Sequence, residues 1–129
     1  MIKNDDIDID NITKQLWMDE KSLKELEHKD HIIGLHSYSH PTEISSLTKY
    51  EQHKEYKMNY NHLFTLLKKK PVVMSHPCNS YNEDTLDILK SLDVKIGFRS
   101  NSELANFSML EFPRVDHSIL MKNAIPNFN

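Results

Sequence analysis

His36 and His40 stand four residues apart in HIIGLHSYSHPTE, where an apolar run ends and a polar loop begins. Imidazole is the commonest protein ligand for zinc and suits several other divalent metals. A four-residue spacing brings two side chains onto one side of a helical turn, within reach of a single ion. Chemistry at such an ion also needs a third ligand and an open position for water. The spacing alone leaves a second reading open, in which two polar residues simply begin a loop.

Two further polar clusters follow apolar runs. His76, Pro77, Cys78, Asn79, Ser80 and Tyr81 form the first. They read either as a substrate-binding rim whose backbone N–H groups could stabilise an oxyanion, or as a turn built from favoured turn residues. Cys78 near His76 also suggests a cysteine–histidine nucleophile, but no third, orienting group accompanies them. Arg114, Asp116 and His117 form the second cluster. A carboxylate or imidazole there is a candidate general acid or base, and a solvated charge pair beside a surface histidine is the alternative.

These clusters need elements to position them. Asp19 is a good N-cap for a helix running to about Glu27, with Met18 and Leu23 at staple spacing. HIIGL reads as a short buried strand. Thr48 and Glu51 have capping-box spacing before a long helix whose apolar stripe is Tyr56, Tyr60, Leu63 and Leu67. KKKP is expected to stop that helix, because a residue before proline resists the α region. PVVMS is a second strand. Asn82 caps a third helix with Leu86, Ile88, Leu89 and Leu92 on one side, VKIGF is a third strand, and MLEFPRV is a fourth, ending at Pro113. Helices alternating with short apolar strands predict an α/β fold with a parallel sheet of about four strands and covering helices. In such folds the chemistry sits at strand C-termini, where all three polar clusters fall.

Composition narrows the function classes. A net charge of −3 provides no basic field for nucleic acid or an anionic membrane. No apolar run reaches the roughly 18 residues of a membrane span. The opening MIKNDDIDID is acidic and lacks a signal-peptide layout, so nothing in this chain argues against a cytoplasmic location. Cys78 is the one cysteine, so the fold does not rest on an internal disulfide. Two glycines and no phosphate-loop pattern speak against nucleotide binding.

Taken together, the stretches resemble the polysaccharide deacetylases, carbohydrate esterase family 4. LWMDEKSLKELEHKDHIIGLHSYSHP is similar to the family's second motif region, where His36, Ser37, His40 and Pro41 match H-[ST]-x-x-H-P. VVMSHPCNSYNEDTLDILKSLDVKIGF is similar to the third, where Pro77, Ser80, Tyr81, Asn82, Leu86 and Leu89 match. LEFPRVDHSIL looks like the segment that follows in deacetylases of bacterial surface-polysaccharide synthesis. The resemblance runs from about Trp17 to Leu120. It implies a distorted (β/α) barrel, present here in part, and metal-dependent hydrolysis of an N- or O-acetyl group on a sugar of a bacterial polysaccharide. It implies His36 and His40 as ligands of a divalent metal, usually zinc, and the Cys78 N–H as oxyanion donor. His117 is the candidate acid for the leaving group. His76, Pro77, Asn79, Tyr81 and Arg114 are the expected substrate-binding residues.

The sequence also departs from the family pattern. The opening TFDDG motif, source of a metal-ligating aspartate and the catalytic base, is absent, and Ser75 stands where the third motif has an arginine. The chain therefore reads either as the C-terminal part of a longer enzyme or as a shortened, inactive remnant that binds glycan or a protein partner. The expected organisation is a flexible acidic segment over 1–15, a deacetylase-like domain over 16–122 and an irregular tail over 123–129. A partial barrel leaves sheet edges unpaired, so a homo-oligomer joined through those edges, or marginal stability, is expected.

Overall fold

The computed structural model describes residues 12–13, 16–103, 108–115 and 117–124. They fall into two compact units, one ending at Ile32 and the other beginning at Ile33. The expected acidic segment lies outside the described residues apart from Ile12 and Thr13, and the expected tail apart from Asn123 and Ala124.

The first unit contains helix α1, Glu20–His28. Asp19 is its N-cap, as its residue type predicts. The Asp19 carboxylate accepts from both the N–H and the hydroxyl of Ser22 at 2.7 Å. Those bonds hold its carboxyl below the usual carboxylate range. Leu23 and Leu26 are half-buried, and no residue of α1 is fully buried.

The second unit runs through a 3₁₀ turn at Ile44–Ser46, helix α2 at Lys49–Leu67, strand β1 at Val73–Ser75 and a 3₁₀ turn at Pro77–Asn79. Helix α3 at Glu83–Ser91, strand β2 at Ile96–Phe98 and helix α4 at His117–Ala124 follow. Thr48 and Glu51 close the expected capping box on α2: Thr48 accepts from the Glu51 N–H, and Glu51 accepts from the Thr48 N–H and hydroxyl. Asn82 and Thr85 form the equivalent box on α3. The end of α2 differs from expectation. Lys68 turns into the left-handed region at φ 56°, with its N–H on the Phe64 carbonyl, two residues before the one that Pro71 restricts. Helix α4 lies beyond the last element that the sequence pattern predicts.

β1 and β2 pair in parallel, Val73 with Ile96 and Ser75 with Phe98. The first and fourth predicted strands shrink to single parallel bridges, Leu35 with Met74 and Phe98 with Phe112. Four parallel segments therefore lie side by side in chain order, as a (β/α) progression requires. Each neighbour is tied by main-chain bonds: Leu35 N–H to Val73 O, His76 N–H to Phe98 O, and Arg99 N–H to Phe112 O, all 2.9 Å.

Leu35 and Met74 of the sheet, Tyr56 and Leu63 of α2, and Leu86 and Leu89 of α3 share one buried core. The stripes predicted for α2 and α3 are the faces that meet there. A buried polar network crosses the same boundary. Gln52, fully buried, donates to the Leu47 carbonyl and accepts from the Thr85 hydroxyl, while Asn82 donates to the Ser45 carbonyl. Satisfied polar groups at that depth fix the register of α2 against α3.

Candidate functional site

The sheet register places the histidine loop. The Ser75 N–H donates to the Leu35 carbonyl at 3.0 Å, so Ser75 ends β1 level with the residue that precedes His36. One step further along, the His36 ring lies 2.8 Å through Nδ1 from the Ser75 carbonyl. A carbonyl only accepts, so Nδ1 carries a proton, and in the neutral ring the lone pair lies on Nε2. This is the outer-shell arrangement that fixes the tautomer of metal-ligating histidines.

The loop itself is not the helical turn that the spacing suggested. Ser37 and His40 are both left-handed, at φ 60° and 57°. The two reversals fold HSYSH back on itself. The Ser37 hydroxyl, buried beneath, accepts from the His40 N–H at 3.1 Å. The His36 and His40 rings meet with centroids 4.9 Å apart and planes tilted by 58°. Both residues are exposed.

Helix α2 supplies what holds the loop. Asn59 accepts from the His36 N–H at 3.0 Å. Glu55, one turn earlier, accepts from the Tyr38 N–H at 3.0 Å, from the Ser39 N–H at 2.8 Å and from the Ser39 hydroxyl at 2.8 Å. The sequence reading named neither residue. Their i, i+4 spacing was the available signal, but it is common on exposed helix faces.

The donor set fits a divalent cation in part. Two neutral-capable imidazoles stand together, and one has its free nitrogen defined by a carbonyl. Among the described residues, no group of three His, Cys, Asp or Glu side chains converges tightly enough to hold an ion. Asp116 and the N-terminal aspartates lie outside the described residues.

The second cluster divides into a buried base and an exposed turn. His76 is only 2 % exposed and does not form an open rim. Its Nε2 lies 2.8 Å from the Leu110 carbonyl and therefore donates to it, while Nδ1 is buried with no hydrogen-bond partner among the described residues. The ring stacks on Tyr81 at 4.1 Å. Pro77 is also fully buried. Cys78 is exposed, and Cys78 and Asn79 are consecutive left-handed residues, at φ 49° and 57°. The Cys78 N–H has no acceptor among the described residues. Asn79, whose residue type tolerates a positive φ, also accepts through its side chain from the Ser100 N–H at 2.9 Å. Tyr81 is half-buried beside Glu111 and Arg99. Burial first, and the Glu111 carboxylate second, raise its phenol above the ordinary value.

Arg114 and His117 are exposed, with the Arg114 N–H on the Asn101 carbonyl and His117 opening α4. No hydrogen bond or ring contact joins either side chain to the histidine pair among the described residues. The geometry thus gathers His36, His40, Ser75 and the His76 to Tyr81 turn at adjacent strand ends. An open groove of about 440 Å³ between α2 and α3, lined by Lys49, Tyr50, His53, Asp87, Ile88 and Ser91, contains none of the candidate site residues named from the sequence.

Burial lowers the pKa of His76, outweighing the support of the Leu110 carbonyl. The folded state therefore favours the neutral ring, and the unfolded chain binds the extra proton as pH falls below about 6.5. Stability is expected to be full above that value and to decline below it. Urea midpoints at pH 7.5 and 5.5 check this. The drop should be smaller in His76→Leu, and an equal drop in both proteins would refute the assignment.

The polysaccharide deacetylase family model matches residues 9–97 of this chain. No curated protein matches it. Among solved structures, the chain is similar to the Streptococcus pyogenes deacetylase PplD, determined in complex with acetate. The two share 24 % identity over 76 % of this chain and 44 % of that one, with a TM-score of 0.70. It is similar to the BpsB deacetylase domain from Bordetella bronchiseptica, with 11 % identity, 77 % and 48 % coverage and a TM-score of 0.66. A mutant of a CE4 family pseudoenzyme with restored enzymatic activity gives 16 % identity, 63 % and 29 % coverage and a TM-score of 0.58. At these identities the likeness establishes the fold. The chain spans less than half the length of each of these structures.

Proposed function

Because the chain belongs to the polysaccharide deacetylase family, we propose that His36 and His40 hold a divalent metal, zinc first among them, for hydrolysis of an N- or O-acetyl group on a sugar of a bacterial polysaccharide. The observation that carries this reading is the His36 Nδ1 bond to the Ser75 carbonyl with the His40 ring alongside. When bound, such an ion supplies Lewis acidity and lowers the pKa of water. The protein's own groups do the rest. The Cys78 N–H, which has no acceptor among the described residues and stands in a turn of two consecutive left-handed residues, is the candidate donor to the oxyanion. Its role needs only backbone, so cysteine serves. Asn79 and Tyr81, from the same turn, are the candidate substrate contacts, above buried His76 and Pro77. Arg114 is the candidate contact to a sugar or its acidic substituents, and His117 the candidate acid for the leaving amine or alcohol.

Acetate release from acetylated oligosaccharides, with zinc present and a full-length deacetylase as positive control, tests the reading. Release that disappears in His36→Ala and in His40→Ala is expected. A silent wild-type chain beside a working control excludes deacetylation by this chain.

A second reading has its own support: among the described residues no third ligand accompanies the two histidines. In that reading the chain binds glycan or a protein partner without catalysis. Retained binding of the same oligosaccharides with no acetate release would select it. No described helix is long and apolar enough to cross a membrane.

A further inference from the structure

We infer that Glu55 is a positioning residue for the histidine pair: from helix α2 it fixes the HSYSH loop in the shape that brings His36 and His40 together. The inference rests on the reading of that pair as a metal site. Two left-handed residues in five, neither of them glycine, make the loop intrinsically unfavourable. A polar loop of this kind holds one shape only where its surroundings over-determine it. Glu55 accepts three hydrogen bonds from consecutive residues between the two histidines, Tyr38 N–H, Ser39 N–H and Ser39 Oγ–H. Asn59 adds a fourth, at His36 N–H. The Ser37 hydroxyl holds the far side at His40 N–H. The hydrogen bonds of Glu55 thus go to the chain between the two rings and constrain it there.

The side chain is anchored from below. Tyr56, the next residue, is fully buried, and Leu63 lies on the same helical face two turns on. The core therefore sets where Glu55 stands. A carboxylate suits the task because one oxygen, Oε2, receives both backbone N–H groups while Oε1 receives the hydroxyl. Glutamine can keep all three bonds. Its carbonyl faces the two N–H groups, and its NH₂ donates to a Ser39 hydroxyl that now accepts. Alanine keeps none. The pair of variants separates positioning by hydrogen bonds from an effect of charge.

Zinc alone is titrated calorimetrically into the wild-type chain and its variants, with far-UV circular dichroism reporting the fold. His36→Ala should abolish binding. Glu55→Ala should weaken it about tenfold or more with an unchanged spectrum, the usual effect of losing an outer-shell support. Glu55→Gln should stay within about threefold of wild type, since it retains the bonds. Wild-type affinity in Glu55→Ala overturns the inference, and so does equal weakening in Glu55→Ala and Glu55→Gln. Should Glu55→Ala not fold, Ser39→Ala decides, because it removes only the Oε1 bond at an exposed residue. A measurable weakening there supports the role of Glu55, and none overturns it. Loss of binding in His36→Ala alongside full binding in the Glu55 variants strikes only this inference. A wild-type chain that binds no zinc, or binds it equally without His36, strikes the metal reading itself.

Discussion

Tyr56→Ala is expected to destabilise the chain by about 3–5 kcal/mol, while Tyr56→Phe leaves it as stable as wild type or more so. Tyr56 is fully buried at the centre of α2's apolar face, packed in the core that includes Leu35, Met74 and Leu89. Truncation removes an aromatic ring and leaves a cavity that rigid neighbours on two helices and a sheet cannot collapse. Against a typical total of about 5–15 kcal/mol, that is a large share. The hydroxyl contributes nothing comparable. It is buried with no protein partner among the described residues, so its loss removes a desolvation cost. Burial, with a smaller contribution from the Glu55 carboxylate, raises the phenol's pKa well above its ordinary value of 10.0. The folded state thus favours the neutral phenol. Its contribution is fully present below pH 10 and lost as pH rises beyond it, so alkaline unfolding should set in later for Tyr56→Phe. Urea titrations of the three proteins at neutral and alkaline pH measure both effects. A stable Tyr56→Ala protein, or a Tyr56→Phe protein weakened by more than about 1 kcal/mol, would contradict this account. Because α2 also carries Glu55 and Asn59, Tyr56→Ala should loosen the histidine loop as well.

Gly97→Ala is expected to cost about 3 kcal/mol or more, at the upper end of overpacking effects. A Cβ on Gly97 would stand 2.3 Å from the Leu110 carbonyl oxygen and 2.8 Å from its carbon. Those atoms belong to backbone that cannot easily retreat. The Gly97 N–H bonds the Met109 carbonyl and the Gly97 carbonyl accepts from Phe112 N–H, so the two segments are clamped at both sides of the clash. Neither glycine in the chain has a positive φ. The requirement at Gly97 is therefore close approach and not turn geometry. Gly34→Ala provides the internal comparison. Its Cβ would meet the Val73 Cγ2 at 2.8 Å and the Val73 oxygen at 2.9 Å, a milder conflict partly relieved by side-chain rotation. Urea midpoints should fall further for Gly97→Ala than for Gly34→Ala. The reverse order would mean that the Leu110 segment is softer than its hydrogen bonds imply. The effect should also reach the site, since the Leu110 carbonyl that must move is the one bonded to His76.

Much of this architecture is written locally. Asp19, Thr48 with Glu51, and Asn82 are capping residues whose side chains reach only three positions along the chain, so sequence spacing alone determines those helix starts. The apolar stripes of α2 and α3 determine which faces are buried, because helical period is a local property. The alternation of helices with short apolar runs determines a parallel sheet, and strand ends determine where polar clusters gather. What the sequence did not determine depends on partners far along the chain. The helical turn read from the His36–His40 spacing became a doubly left-handed loop, because Glu55 and Asn59 offer that backbone acceptors from sixteen to twenty-three residues away. The tautomer of His36 depends on Ser75, thirty-nine residues distant, through the register of β1. His76 reads as an exposed turn residue, yet the Leu110 segment crosses over it and buries it. Local chemistry thus chose the elements and nominated the histidines; only tertiary contact, by supplying distant acceptors and excluding water, decided which of them face solvent and how they are held.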